Sequence, residues 1–226
     1  MNERLLLATT NKGKARELAE IFADLPIVVQ KLDDVLRDKP HVLEDGKTFA
    51  ENALKKARAI AELTGMLTLA DDSGLEVDVL GGRPGVRSAR FAHERATDSE
   101  NNAALLSALE EIRGGEGGAG ERFAARFRCA LVLVDPLERT REPIIVEGTC
   151  EGFITRTPRG SAGFGYDPLF IVGDGDRTMA EIDEVEKNRV SHRARASHLM
   201  MPRIRGVLDK RRAIAEAIGR ASSLSK

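Results

Sequence analysis

A chain of 226 residues with 42% hydrophobic and 31% charged residues has the balance of a globular protein that buries about 70–75% of its unfolded surface, which excludes disordered, collagenous and fibrous classes. Lys and Arg number 35 against 36 Asp and Glu, a formal net charge of −1, so no global field draws the chain to nucleic acid or to an anionic membrane, and any basic patch is local. The two cysteines, Cys129 and Cys150, lie in β-like runs and read as small buried hydrophobes, since a pair is too few for a thiolate zinc site.

Met1-Asn2-Glu3-Arg4 and the short apolar run after it lack a signal-peptide core, and nowhere do about 18 apolar residues run together. The expectation is a cytoplasmic protein with no membrane or nucleic-acid partner. Residues 4–9 read as a buried strand and residues 11–22 as a helix, with Ala15, Leu18, Ala19 and Phe22 at helical spacing. Residues 27–29 make a second strand. Thr48-x-x-Glu51 is a capping box that opens a helix through Leu63, ended by Gly65. Residues 66–70 predict a buried strand that breaks into a turn at Asp71-Asp72-Ser73-Gly74, and residues 75–80 predict another, closed by Gly81-Gly82-Arg83-Pro84-Gly85. Thr97-x-x-Glu100 is a second capping box, and the helix behind it carries Ala104, Leu105, Ala108, Leu109 and Ile112. The glycine-rich residues 114–120 read as a flexible surface loop.

The runs 123–134 and 144–154, separated by Asp135-Pro136, predict an antiparallel hairpin extending from the central sheet, and residues 169–172 a further strand. From Ser191 a helical pattern runs to Ala221, with Pro202 either kinking it or opening a new helix. The expectation is one domain over residues 1–221 with a frayed tail at 222–226. Strands and helices alternate before a long hairpin intrudes, so the class is α/β: a mixed central sheet extended by the hairpin and flanked by helices.

The turn Thr9-Thr10-Asn11-Lys12-Gly13-Lys14 joins a strand to a helix, where free backbone N–H groups and the positive helix end favour an anion, and Lys12 and Lys14 add charge. Taken alone it reads equally as an Asn N-cap with two solvated lysines, and it is not a Walker A loop. Glu44, Glu51, Asp71 and Asp72 lie at or near element ends, where neighbouring carboxylates can hold Mg²⁺, an ion that prefers oxygen ligands and bridges phosphates. Glu51 has its capping role as the alternative. Asp71 and Asp72 point to opposite sides if strand geometry persists into the turn, so one of them faces the substrate.

Gly163-Phe164-Gly165-Tyr166-Asp167-Pro168 places aromatics between glycines in a chain with one Tyr and no Trp. Such a loop can stack a flat base while Asp167 accepts a hydrogen bond, or it can be a plain connection with a core Phe. Lys187 and Arg193, in Glu186-Lys187-Asn188-Arg189 and Ser191-His192-Arg193, can meet phosphate or a base oxygen, or be solvated. His41, His93 and His198 have neither metal-ligand spacing nor a nucleophile partner. A phosphate turn, a carboxylate pair, an aromatic clamp and a basic helix start together describe a nucleoside triphosphate site.

In chain order, the turn from Thr9 to Lys14, Glu51-Asn52-Ala53, Ala70-Asp71-Asp72-Ser73-Gly74-Leu75, Gly81-Gly82-Arg83-Pro84-Gly85 with Ser88-Ala89-Arg90, the loop from Gly163 to Pro168, and Lys187-Asn188 with Ser191-His192-Arg193 resemble the signatures of the inosine triphosphate pyrophosphatase family over almost the whole chain. The resemblance implies a homodimeric α/β enzyme that uses Mg²⁺ to hydrolyse ITP, dITP and XTP to the monophosphate and pyrophosphate, clearing deaminated purines from the nucleotide pool. It implies that Thr9, Thr10, Asn11, Lys12, Gly13 and Lys14 bind the triphosphate, with Lys14 neutralising charge. Glu44 and Asp72 would hold the metal, and Asp72 would accept the proton of the attacking water. Ser73 would contact substrate and Phe164 stack on the base, while Gly165, Tyr166, Asp167, Lys187, His192 and Arg193 complete base and phosphate recognition.

Three features depart from the family pattern: Met179 stands where an aromatic is common, the 114–120 loop looks expanded, and Pro202 interrupts the last helix. Two rival readings stand beside this one. A pyrophosphatase of modified pyrimidine nucleotides differs by its substrate panel. A nucleotide- or RNA-binding module without turnover is opposed by Glu44 and Asp72, because a binder of polyanions gains nothing from added negative charge unless a cation is held there.

Overall fold

In the computed structural model, which describes residues 3–112, 122–138 and 142–224, the short apolar run of the N-terminus becomes β1 (Arg4–Leu7), with Leu5, Leu6 and Leu7 fully buried. Apolar residues on both faces require cover on both faces, and β1 has it inside a six-stranded sheet. The other strands are β2 (Val28–Lys31), β3 (Leu67–Val77), β4 (Arg122–Val134), β5 (Ile144–Thr155) and β6 (Phe170–Val172). Their order across the sheet is β2-β1-β3-β4-β5-β6. β1 runs parallel to β2 and β3, whereas β3 to β6 pair antiparallel in sequence. The expected mixed sheet and its long hairpin are both present.

Helices α1 (Lys12–Ile21), α2 (Leu32–Val35), α3 (Phe49–Thr64), α4 (Asp98–Ile112), α5 (Glu184–Val190) and α6 (His192–Leu224) flank the sheet. Thr48 Oγ1 accepts the Glu51 N–H at 3.1 Å, and Glu51 reaches back to the Lys47 N–H at 2.6 Å, one residue before the cap. At α4 the capping box closes fully, with Thr97 N–H on Glu100 Oε2 at 2.7 Å and Glu100 N–H on Thr97 Oγ1 at 3.3 Å. Gly65 ends α3 in the left-handed conformation at φ 67°, as its missing Cβ permits.

Two local readings are corrected. The Asp71-Asp72-Ser73-Gly74 stretch is not a turn: β3 runs through it without a break and stays paired with β4 from Thr68↔Val134 to Val77↔Ala125. Ladder hydrogen bonds and burial outweigh the turn preference of these residue types. Gly74 serves close approach, since a Cβ there would come within 2.4 Å of Ser88 Oγ. The strand also stops at Val77, and Asp78–Leu80 form a 3₁₀ turn. Pro202 lies inside the continuous α6 with its side chain exposed, so it opens no new helix. The 114–120 loop lies outside the described residues, as do residues 225 and 226.

The core has three parts. Leu5, Leu7, Leu18, Phe22, Leu131 and Ile204 pack where α1 and α6 cover one face, while Leu6, Ala53, Ala57, Ile60, Ala70 and Val132 pack under α3 on the other. Leu75, Leu105, Leu109, Phe127, Phe170 and Met179 fill the far end beneath α4. Both cysteines are free and buried, and burial pushes their thiols up to about 12 in Cys129 and about 11 in Cys150. No helix among the described residues is long and apolar enough to cross a membrane.

Candidate active site

β3 decides the division between the two aspartates, because strand geometry persists through them and successive side chains alternate. Asp72 lines a cleft of about 540 Å³ between the end of β1, α3 and the start of α6, whereas the Asp71 side chain is fully enclosed on the opposite face. Asp71 receives Arg193 Nε at 3.2 Å and Lys14 Nζ at 3.3 Å. Arg193 also donates from Nη2 to Ser73 Oγ at 2.9 Å and from Nη1 to Glu17. Glu17 in turn accepts Lys187 Nζ at 2.8 Å, and Lys187 meets Asp167 Oδ2 at 2.7 Å. Asp167, Lys187, Glu17, Arg193, Asp71 and Lys14 thus form one chain of alternating charge along the wall of the cleft.

The second carboxylate group stands opposite. Lys56 Nζ lies 2.9 Å from Glu44 Oε2 and 2.9 Å from Asp72 Oδ1. Burial opposes ionisation of both acids. In Glu44 the Lys56 ammonium outweighs burial and holds the carboxyl below its ordinary value. In Asp72 burial prevails over Lys56 and Lys14, the Glu44 charge adds to it, and the carboxyl is pushed up. Asp71 is buried more deeply still, yet it is held low by Lys14 and Arg193. Asp72 is therefore the more basic of the two adjacent aspartates.

Of the residues singled out from sequence, Thr9, Thr10, Asn11, Lys14, Glu44, Asp72, Ser73, Phe164, Gly165, Tyr166, Asp167, Lys187, His192 and Arg193 all line this cleft. Asn11 caps α1 by accepting the Lys14 N–H at 3.0 Å. Lys12 is exposed and Gly13 half-buried, and neither is in the lining. Gly13 supports the aromatic loop instead: a Cβ there would fall 2.7 Å from the Phe164 ring. That ring also carries Lys187 Nζ at 5.0 Å and Arg193 Cζ at 5.6 Å from its centroid, which fixes its plane beside the cations. Tyr166 is tied down by its hydroxyl, which donates to Ser88 O at 2.8 Å. Met179 packs in the core beneath α4 and is absent from the cleft lining. His192 stacks on Phe127 at 4.8 Å, and burial together with Arg193, Lys187 and Lys14 pushes its pKa well down, leaving a neutral ring.

Residues 5–203 match the Ham1 family. The chain belongs to this family. Among its Ham1-family relatives is a dITP/XTP pyrophosphatase of Geobacter sulfurreducens, 50% identical over 197 residues, a stretch that covers 87% of this chain and 94% of the relative. A dITP/XTP pyrophosphatase of Streptococcus thermophilus is 48% identical over 197 residues, and there the match covers 87% of this chain and 58% of the longer relative. The solved HAM1 protein of Coxiella burnetii superposes with a TM-score of 0.77 at 39% identity, over 90% of this chain and 99% of that one. The family expected from the motifs is borne out.

No group of three or more His, Cys, Asp or Glu suited to a metal occurs among the described residues, yet the donor set of this Ham1-family site fits Mg²⁺. That ion keeps several waters and is bound through one or two carboxylates plus substrate phosphates, and Glu44 and Asp72 are two oxygen donors already converging on one cation. Lys56, Glu17, Asn52 and Arg90 were not singled out as site residues. Lys56 and Asn52 interrupt the buried stripe of α3 at i and i+4, and Glu17 sits next to Leu18 on the buried face of α1. A charged or amide residue on an apolar stripe is the signal that could have found them. Arg90 Nη2 donates to Glu44 O at 2.8 Å, a contact across 46 positions with no local signature.

Proposed function

We propose that the protein hydrolyses deaminated purine nucleoside triphosphates, ITP, dITP and XTP, to the monophosphate and pyrophosphate, and so cleanses the nucleotide pool. The observation that carries this reading is the placing of the Glu44 and Asp72 carboxylates beside Lys14, Lys56, Lys187 and Arg193 in one cleft, with the Phe164 ring at its side. The names of the Geobacter and Streptococcus relatives support the same substrate class. The family resemblance extends the reading to a homodimer in the cytoplasm.

In this reading the turn from Thr9 to Asn11 and the positive end of α1 hold the triphosphate, and Lys14 and Lys56 neutralise it. Glu44 and Asp72 hold Mg²⁺, which when bound neutralises phosphate charge and polarises the anhydride. Asp72, the aspartate with raised basicity, orients the attacking water and takes its proton on Oδ1 as the water approaches the α-phosphorus. Lys14 and Lys56, the cations beside the turn and the carboxylate pair, stabilise the charge that develops on the pyrophosphate leaving group, so preorganised electrostatics supply most of the acceleration and no covalent nucleophile is used. Phe164 stacks on the base. Arg193 and His192 read its edge: a 6-keto purine presents an acceptor where adenine presents a donor amine, so a donor here favours the first and opposes the second.

The test is phosphate-product analysis over a panel of ITP, dITP, XTP, ATP, GTP and modified pyrimidine triphosphates, with Mg²⁺ and after exhaustive chelation. Expected are monophosphate and pyrophosphate from the deaminated purines, an alkaline pH optimum, and loss of turnover on chelation. Turnover confined to pyrimidines, binding without hydrolysis, or activity untouched by chelation each overturns the reading.

A further inference from the structure

Asn52 lies on the buried face of α3 and is fully enclosed. Both ends of its amide are spent. Oδ1 accepts the Gly46 N–H at 2.7 Å, and Nδ2 donates to Asp72 Oδ2 at 3.3 Å. The orientation is fixed by chemistry, because a backbone N–H can only donate and so requires the amide oxygen. Gly46 is two residues beyond Glu44, and a Cβ on it would fall 2.6 Å from Asn52 Oδ1 and 2.8 Å from Glu51 Cβ, so the loop is seated directly on the start of α3. One side chain therefore ties the Glu44 loop to Asp72.

The bond also sets how the Asp72 carboxylate is rotated. With Oδ2 held by Asn52, Oδ1 is the oxygen presented to Lys56 and to the Glu44 side. A carboxylate pair binds a cation only when both oxygens aim at one point, and the partners that aim them matter nearly as much as the ligands. We propose that Asn52 is a positioning residue of the cation site, holding Glu44 and Asp72 in the register that lets both meet one divalent ion. This rests on the proposed function of the carboxylate pair, and the experiment separates the two.

Mn²⁺ binding to the nucleotide-free full-length protein is measured directly, by the magnetic resonance signal of free Mn²⁺, for the wild type, Asn52→Ala, Asp72→Asn and the double variant. Asn52→Ala is expected to weaken Mn²⁺ binding about 10-fold or more, the usual cost of losing a partner that orients a metal ligand. It is expected to lower kcat for dITP while KM at saturating metal stays within about threefold. In the Asp72→Asn background the same substitution is expected to weaken Mn²⁺ no further, because its effect passes through that carboxylate.

Should Asn52→Ala fail to fold, Asn52→Leu replaces it, since leucine keeps the branching and the number of heavy atoms while removing both hydrogen bonds. Gly46→Ala probes the same contact from the loop side. Wild-type protein that binds no Mn²⁺ overturns the carboxylate-pair reading and this inference with it. Binding by the wild type with an unchanged constant in the Asn52 variant, or a full additional loss in the double variant, overturns this inference alone.

Discussion

Asp72→Asn keeps the outline of the side chain and removes its charge and basicity. In the proposed mechanism it is expected to lower kcat for dITP by about 10²–10⁴-fold, the range for a lost general base, with the melting temperature nearly unchanged. Asp71→Asn belongs to a different class of effect. Asp71 is fully enclosed and is the shared counter-ion of Arg193 and Lys14, so its neutralisation leaves buried positive charge uncompensated and is expected to cost about 3–5 kcal/mol of stability. Steady-state hydrolysis of dITP and thermal melting of both variants check this division. Near-wild-type turnover in Asp72→Asn, or a larger fall in melting temperature there than in Asp71→Asn, would contradict it. That adjacent carboxylates divide in this way was legible from alternation along a strand. Which of them faces the cleft came only from the family resemblance, because alternation alone does not say how β3 docks against α3.

At the level of elements, the legible parts are those with local physics behind them. Thr48 and Thr97 cap α3 and α4 because a hydroxyl and a carboxylate three residues apart satisfy orphan N–H groups wherever they occur. Asp71 to Gly74 misled because their residue types favour turns, and the opposing information lies in the ladder to β4, far along the chain. Lys56 and Glu17 interrupt apolar stripes, but a charged residue on a helix is usually solvated, and only the fold reveals Lys56 between two carboxylates and Glu17 between Lys187 and Arg193. Pro202 offers the element-scale prediction. It lies inside α6, exposed to solvent, where a proline forfeits a helical hydrogen bond and costs up to about 3 kcal/mol. Pro202→Ala is expected to raise the melting temperature, at about 2–4 °C per kcal/mol for a domain of this size, without altering kcat. An unchanged or lower melting temperature would mean that α6 owes its course to this residue.

For the molecule as a whole, a net charge of −1 conceals buried ionisable groups in and beside the chain of alternating charges, which respond to acid in opposite senses. Asp71 and Glu17 are held below their ordinary values, after burial is offset by Arg193 together with Lys14 in the first and Lys187 in the second. They contribute stability above the ordinary carboxylate pKa and lose it as the pH falls toward the depressed values. Asp72 and Asp167 are raised by burial, so their ionisation costs stability at neutral pH and acid relieves that cost. His192 acts earliest on the way down. Its pKa is pushed well below the ordinary 6.5 by burial and by Arg193, Lys187 and Lys14, so below that pH the unfolded chain binds a proton that the native ring refuses. Its contribution to stability is present above pH 6.5 and is lost as the pH falls through the window beneath, at about 1.4 kcal/mol per pH unit. Comparison with His192→Gln isolates this slope, because the carboxylates titrate in both proteins. Urea unfolding from about pH 8 to about pH 5 is expected to show wild-type stability falling relative to the variant below the ordinary histidine pKa, by close to one proton's worth. Parallel curves would show that His192 takes up its proton in the folded cleft, and would place a second positive charge beside Arg193 at the edge of the proposed base site.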